Sequence, residues 1–251
     1  MKAILTWHSV DDSGSVSSIT TGQLERQLDW LASGRVRVVP FKSILSDRGD
    51  GDTIALTFDD GFLNFASAAA PLLRARGLPA TVFVIPSRVG TTNTWNATPG
   101  VGAIPSLDLM SWDDIRSMER EGFEIGSHGL THAPLAPLSA AELAIEVGEC
   151  ASIIEAAIGR RPSSFAYPYG IYDAATIGAV SKSFSIACTT RFDFVNDLDS
   201  PFELPRLDTY YFRDNRILEE WGTARFKAYI RLRKAARTLK SAVGFAIGRS
   251  R

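Results

Sequence analysis

The residues able to do chemistry in this 251-residue sequence are few: three histidines, and one aspartate pair whose setting differs from that of its two counterparts. The stretch "ALTFDDGF" (55–62) places Asp59 and Asp60 side by side, after an apolar run and before Gly61. Two adjacent carboxylates there repel each other unless something positive lies beside them, and a metal ion would supply that charge. His128 and His132 stand four apart in "GSHGLTHAPL". In helical geometry that spacing would project both rings from one face. Two imidazoles and one carboxylate form a site for Zn²⁺, Fe²⁺ or Co²⁺ with positions left open for water and substrate. Either Asp59 or Asp60 can be the carboxylate, which leaves the other free to act as a base. His8, in "LTWHSVDD", faces the same site if its strand lies beside the one that ends at Asp59.

The other aspartate pairs have structural explanations. Asp113 and Asp114 fall in the first turn of a helix that Ser111 caps, where negative charge meets the helix dipole favourably. Asp11 and Asp12 precede Ser13 and Gly14 and read as a turn.

The elements that must position these groups alternate. "AILTW" (3–7), "TIALTF" (53–58), "ATVFVI" (80–85), "FEIGS", "SSFAY" and "FSIACTT" read as strands, and "FELPRLDTY" as a late one. Between them run helical patterns, three with capping-box signals at Thr20/Gln23, Ser111/Asp114 and Ser139/Glu142. About seven such alternations predict a parallel sheet with right-handed crossovers, a barrel or a doubly wound sheet. The segment 86–109, rich in Gly, Pro, Thr and Asn, leaves the carboxyl end of a strand, where α/β folds bind ligands.

Net charge is −1, but its distribution is uneven: residues 1–220 carry −10, and nine Lys and Arg from Arg225 onward face no acidic residue after Glu220. From 225 to 248 apolar and basic residues recur at helical spacing, which fits either a solvated helix packed on the barrel or an interfacial helix on anionic lipid. Cys150 and Cys188 are far apart and read as buried free thiols. The opening lacks the long apolar region of a secretory signal, and no apolar run reaches membrane-spanning length. The expectation is a cytoplasmic protein, peripheral on the inner membrane face through residues 221–251, with residues 1–220 forming the catalytic domain. Nothing in the sequence calls for a nucleic-acid partner.

"TFDDG", "SHGLTH" and "FAYPYG", in that order and spacing, resemble the polysaccharide deacetylases of the NodB-homology type (carbohydrate esterase family 4). The similarity runs from about residue 1 to 215. The opening "ILTWHSVDD" looks like the "YHxV" start of the subgroup that includes poly-N-acetylglucosamine deacetylases, with Trp7 where Tyr is usual. The resemblance implies a distorted (β/α)₇-type barrel, α/β in class, and an N-deacetylase acting on an amino sugar in a polysaccharide, oligosaccharide or lipid-linked glycan. It implies one divalent ion, Zn²⁺ first and Co²⁺, Fe²⁺ or Ni²⁺ as substitutes, held by Asp60, His128 and His132. Asp59 is then the general base. Tyr167, Pro168, Tyr169 and Gly170 line the acyl pocket, with the Tyr169 N–H toward the oxyanion.

The sequence departs from the family pattern in two places. No histidine follows His132, so the general acid falls to His8, as in the subgroup with the N-terminal motif. The third motif lacks its arginine, so Arg206 in "ELPRLDT" is the candidate for orienting Asp59, with Arg161 second. The fourth motif's Asp-Trp pair is not visible. The alternatives are a deformylase or amidase acting on another C–N bond, and a non-catalytic carbohydrate-binding relative. A non-haem iron oxygenase shares the ligand types but leaves the second Asp and "FAYPYG" without a role.

Overall fold

The computed structural model describes residues 1–96, 104–214 and 216–248, with side chains as far as 238 in the last helix and that of Asn96 left aside. Seven parallel strands carry the chain around a curled sheet: β1 (Lys2–Trp7), β2 (Thr53–Phe58), β3 (Thr81–Val84), β4 (Glu124–Ser127), β5 (Ser164–Ala166), β6 (Ile186–Cys188) and β7 (Leu207–Asp208). Their spatial order is β7-β1-β2-β3-β4-β5-β6. The short segment 204–208 joins the two edges, because Leu204 bridges Cys188 of β6 while Leu207 pairs with Leu5 of β1. This is the distorted seven-stranded barrel that the resemblance implies, one of the two forms the alternating pattern leaves open. A two-residue strand, Arg37–Val38, pairs with Thr53 and Ile54 at the start of β2, on the edge that β3 takes at Thr57 and Phe58.

Strand parity sorts the side chains. Ile4, Ala55, Phe83, Ala166, Cys188 and Leu204 fill one buried cluster inside the curl. Their alternates Leu5, Leu56, Val82, Val84 and Ile125 belong to the larger cluster under the helices. β2 is buried at every position, as a strand covered on both faces must be. Thr6 and Thr57 lie opposite each other in register, one pleat beyond Ile4 and Ala55. His8 and Asp59 come two residues further along the same side, so parity alone carries both toward one end of the barrel.

All three predicted capping boxes form. Two predicted helices differ in detail. The segment 65–75 opens with a π-helical turn, Phe65–Ala69, before Ala70–Ala75. Pro71 lacks the N–H that a regular ladder needs, and the widened turn accommodates it. The helix at 140–158 likewise contains a π-helical turn, Ala144–Glu149. Asp11 accepts from the Ser13 N–H in the predicted turn. Both cysteines are free and buried, and burial pushes each thiol up to about 12.

The segment 86–109 folds back on itself where it is described. Thr92 bridges Asp108, and the Asn93 side chain donates to the Pro105 carbonyl and accepts from the Leu107 N–H. Residues 97–103 of the expected loop lie outside the described residues. The C-terminal helix, Ala224–Gly248, packs Phe226 and Ile230 into the main core. The expected contributions of Leu239, Lys240, Val243 and Ile247 lie outside the described side chains. Among the described residues no helix is long and apolar enough to cross a membrane.

Candidate active site and metal centre

β2 delivers the aspartate pair. The Asp59 N–H still donates to Trp7 O at 2.9 Å, so Asp59 completes the ladder. Asp60 (φ 73°) and Gly61 (φ 69°) then turn in the left-handed region. A Cβ on Gly61 would stand 3.2 Å from Val84 Cγ1, so the turn needs glycine for space as well as for φ. Among the described residues three non-glycines have positive φ: Asp60, His132 and Tyr169. All three meet at one place, and backbone strain of this kind persists only where the surroundings hold it.

Asp60 Oδ1 lies 3.5 Å from His128 Nε2 and 3.4 Å from His132 Nε2. One ligand atom from each of these buried residues falls within 4.8 Å of the others. Two ligands about 2.1 Å from one ion stand about 3.4 Å apart in tetrahedral geometry, so the spacing fits a zinc-sized cation. His128 Nδ1 is 2.7 Å from the Ala166 carbonyl. A carbonyl can only accept, so Nδ1 carries the proton and the Nε2 lone pair points at Asp60. Burial first, and then neighbouring His128, pull His132 down to about 2, which keeps its ring neutral. Burial raises the Asp60 carboxyl against the pull of His8 and His128. Two imidazole nitrogens and a buried carboxylate are the donor types that hold a divalent cation.

The expected helical presentation of the two histidines does not occur. Residues 128–132 form an irregular turn, with Gly129 at φ 77° and His132 at φ 68°. The rings meet, centroids 4.8 Å apart, because the turn folds back rather than because a helix aligns them.

Asp59 sits beside this cluster in a different environment. Arg206 grips it bidentately, Nη1 to Oδ1 at 2.6 Å and Nη2 to Oδ2 at 2.7 Å, with both side chains buried. Arg206 is itself fixed by donating to the Thr189 carbonyl, Thr6 Oγ1 and Thr57 Oγ1. Burial acts to raise the Asp59 carboxyl. Arg206, His128 and His8 outweigh it and hold the group well below the usual carboxylate range. Arg206 immediately precedes β7 rather than ending a strand, because only Leu207 and Asp208 pair with β1. The second candidate, Arg161, pairs with Glu155 at the surface and is not brought to the site.

His8 Nε2 is 3.7 Å from Asp59 Oδ2, and its side chain is 28% exposed, which leaves a face open to a ligand. Tyr169 (φ 58°, ψ 0°) lays its ring 4.5 Å from that of His132 and is half exposed. Pro168 is buried, and a Cβ on Gly170 would lie 2.0 Å from Thr190 Oγ1. Tyr167 is not brought to the site surface. It is fully buried and stacked on Tyr172 at 4.8 Å, in the cluster under the helices.

Two contributors escape a reading of the sequence. Trp95, in the 86–109 segment, places its ring 4.9 Å from His132. The Thr6, Thr57 and Thr189 cradle around Arg206 is signalled only by strand parity.

The polysaccharide deacetylase family profile matches residues 46–184, more than half of the chain. The chain belongs to the polysaccharide deacetylase family. It is 24% identical over 179 residues to the poly-β-1,6-N-acetyl-D-glucosamine N-deacetylase of Staphylococcus aureus, covering 66% of this chain and 58% of that one. It is 27% identical over 165 residues to a chitin deacetylase of Pestalotiopsis, covering 64% and 50%. The chain therefore spans little more than half the length of these curated relatives. Among solved structures it resembles IcaB from Ammonifex degensii, with a TM-score of 0.73, 26% identity, and 84% and 93% of the two chains covered. The Streptococcus pyogenes deacetylase PplD, solved in complex with acetate, shares the fold at a TM-score of 0.70, with 16% identity and 82% and 91% covered.

Proposed function

We propose that this chain hydrolyses N-acetyl groups from amino sugars of a poly- or oligo-N-acetylhexosamine, using one divalent ion held by Asp60, His128 and His132. The observation that carries the reading is the convergence of those three ligand atoms beside an ionised, arginine-gripped Asp59. The activities for which the chitin and poly-N-acetylglucosamine deacetylase relatives are named support the substrate class. A bound Zn²⁺, or Co²⁺, Fe²⁺ or Ni²⁺ in its place, would supply Lewis acidity and a water acidified to a pKa of about 7.

The chain's own groups then divide the proton transfers. Asp59, ionised throughout the working range, takes the proton of the attacking water. A carboxylate held so low is a weak base and suits a water already made acidic. Arg206 fixes both Asp59 oxygens and so sets the direction of that transfer. The developing oxyanion faces the Tyr169 backbone N–H. His8, protonated and open on one face, donates to the amide nitrogen as the C–N bond breaks. The products are acetate and a free amino sugar. Tyr169 and Trp95, flanking His132, provide walls for the acyl group.

In this reading residues 1–220 are the catalytic domain, and 221–251 add a basic helix that meets anionic lipid. Leu232, 71% exposed between exposed Arg231 and Arg233, motivates the lipid contact. The deciding experiment measures acetate release from N-acetylglucosamine oligomers together with metal content. Wild type should carry about one ion per chain and release acetate, and Asp60→Asn should lose both. Formate release from an N-formyl substrate without acetate release would move the activity to a different acyl group. Acetate release that is unaffected in the metal-stripped enzyme would overturn the reading.

A further inference from the structure

The two candidate ligand histidines are separated by Gly129, Leu130 and Thr131, and this turn is irregular at both ends. What holds it comes from a distant helix. Glu146, 8% exposed, accepts at its carboxylate from the Leu130 N–H (3.0 Å), the Thr131 N–H (3.0 Å) and Thr131 Oγ1 (2.6 Å). Its main-chain carbonyl also accepts from the Leu130 N–H at 3.0 Å. Among the described residues Glu146 forms no ion pair, so these donors are what compensate its burial.

Glu146 lies within the π-helical turn Ala144–Glu149. Such a turn inserts one residue into the helical ladder and displaces its side chains from the regular spacing. Both oxygens of the Glu146 side chain and its carbonyl reach the same turn. Gly129 is set there by its φ of 77° rather than by space, since a Cβ would meet Glu146 Oε2 at 3.5 Å and Pro168 Cγ at 3.4 Å, ordinary contact distances. The helix carrying Glu146 therefore holds the histidine turn through its hydrogen bonds.

We propose that Glu146 is the positioning residue of this site: its buried carboxylate clamps the Gly129–Thr131 turn and sets the distance between His128 and His132. It touches neither substrate nor metal and acts through the backbone between the two rings. The inference rests on the metal-site reading above for its functional consequence, but the clamp itself can be measured without metal.

Glu146→Gln is the conservative variant: its amide oxygen can still accept from both N–H groups and its NH2 can donate to Thr131 Oγ1. Glu146→Ala removes the clamp. Glu142→Ala on the same helix is the control, because Glu142 accepts only from Ser139 at the helix start. Each variant is measured for Zn²⁺ affinity by chelator competition, for the visible spectrum of its Co²⁺ form, and for hydrogen exchange at the Leu130 and Thr131 amides. Glu146→Ala should bind Zn²⁺ about 10–100-fold more weakly, the range seen when an outer partner of a ligand is lost. It should also shift the Co²⁺ spectrum and lose amide protection in the turn, and Glu146→Gln should restore most of each. Glu142→Ala should lose thermal stability alone. If Glu146→Ala does not fold, Thr131→Val removes one donor from the other side and should show the same losses in smaller measure. Wild-type amide protection in Glu146→Ala overturns the clamp, as does wild-type affinity with an unchanged Co²⁺ spectrum in that variant. If the wild-type protein binds no metal, the metal reading fails, and the exchange data alone decide whether the clamp exists.

Discussion

Asp59 and Asp60 are neighbours in sequence with opposite electrostatics. Asp59 is held down by Arg206, and Asp60 is raised by burial. That division predicts different losses on substitution. Asp59→Asn preserves the shape and one Arg206 contact, so metal content should stay at the wild-type level while kcat falls by about 10²–10⁴-fold. His8→Ala should also keep the metal and lower kcat. Equal metal loss in Asp59→Asn and Asp60→Asn would undo the assignment, and wild-type turnover in His8→Ala would remove it as the acid. The buried Asp59–Arg206 pair also fixes an acid limit. The folded pKa of Asp59 lies below its unfolded value of about 3.9, so the stabilisation is complete above that value and is lost as pH falls below it. Arg206→Met leaves the carboxylate without its partner and should cost about 3–5 kcal/mol at neutral pH, read by chemical denaturation. A variant as stable as wild type would mean that Arg206 contributes nothing net.

At the scale of elements, the site depends on strand ends more than on helices. The pairing of β1 with β2 puts His8 and Asp59 on one side, and this was legible because both strands are short apolar runs of known parity. The three capping boxes were legible for a similar reason, since a cap is a local contract between two side chains and two backbone N–H groups. The histidine turn was not. Four-residue spacing fits a helix as well as a folded-back loop, and the deciding contacts come from Glu146, about fourteen residues further on. Tyr167 was misplaced for a related reason: the strand ends at Ala166, and the left-handed Tyr169 breaks the alternation, so its ring turns outward while that of Tyr167 stays in the core. Arg206 was legible as a type but not in its cradle, which draws on three strands. Asn93, buried and two residues before Trp95, ties the two arms of the 86–109 segment together through Pro105 and Leu107, and the Trp95 ring lies near His132. Asn93→Ala should therefore raise KM for oligosaccharide severalfold with metal content unchanged. A loss of kcat at constant KM would mean that the segment serves chemistry rather than substrate binding.

For the whole molecule, the uneven charge gathers in one helix with two different sides. Its first half is anchored by Phe226 and Ile230 in the core, and Tyr229 Oη donates to the Tyr211 carbonyl. Arg233 and Arg237 then extend over the Tyr211 ring, at 5.0 and 5.7 Å. Leu232 is 71% exposed, and Arg231 and Lys234 are exposed beside it, with Lys234 paired to Asp193. A test of the lipid contact must therefore keep the anchor: a cut at 220 would strip Phe226 and Ile230 from the core, whereas deletion of 232–251 retains both. That deletion removes six of the nine basic residues from Arg225 onward. Each basic residue near an anionic bilayer contributes about 1 kcal/mol, attenuated by salt over a Debye length of about 8 Å at physiological ionic strength. The full chain should co-sediment with phosphatidylglycerol vesicles and much less with phosphatidylcholine, and the binding should weaken as salt rises. The 1–231 form should stay in the supernatant with its acetate release on soluble oligomers intact. Equal partitioning of the two forms would end the lipid reading and leave the helix as a solvated, body-packed element. Binding of the full chain to both vesicle types at high salt would point instead to apolar contact in which the nine charges have no part.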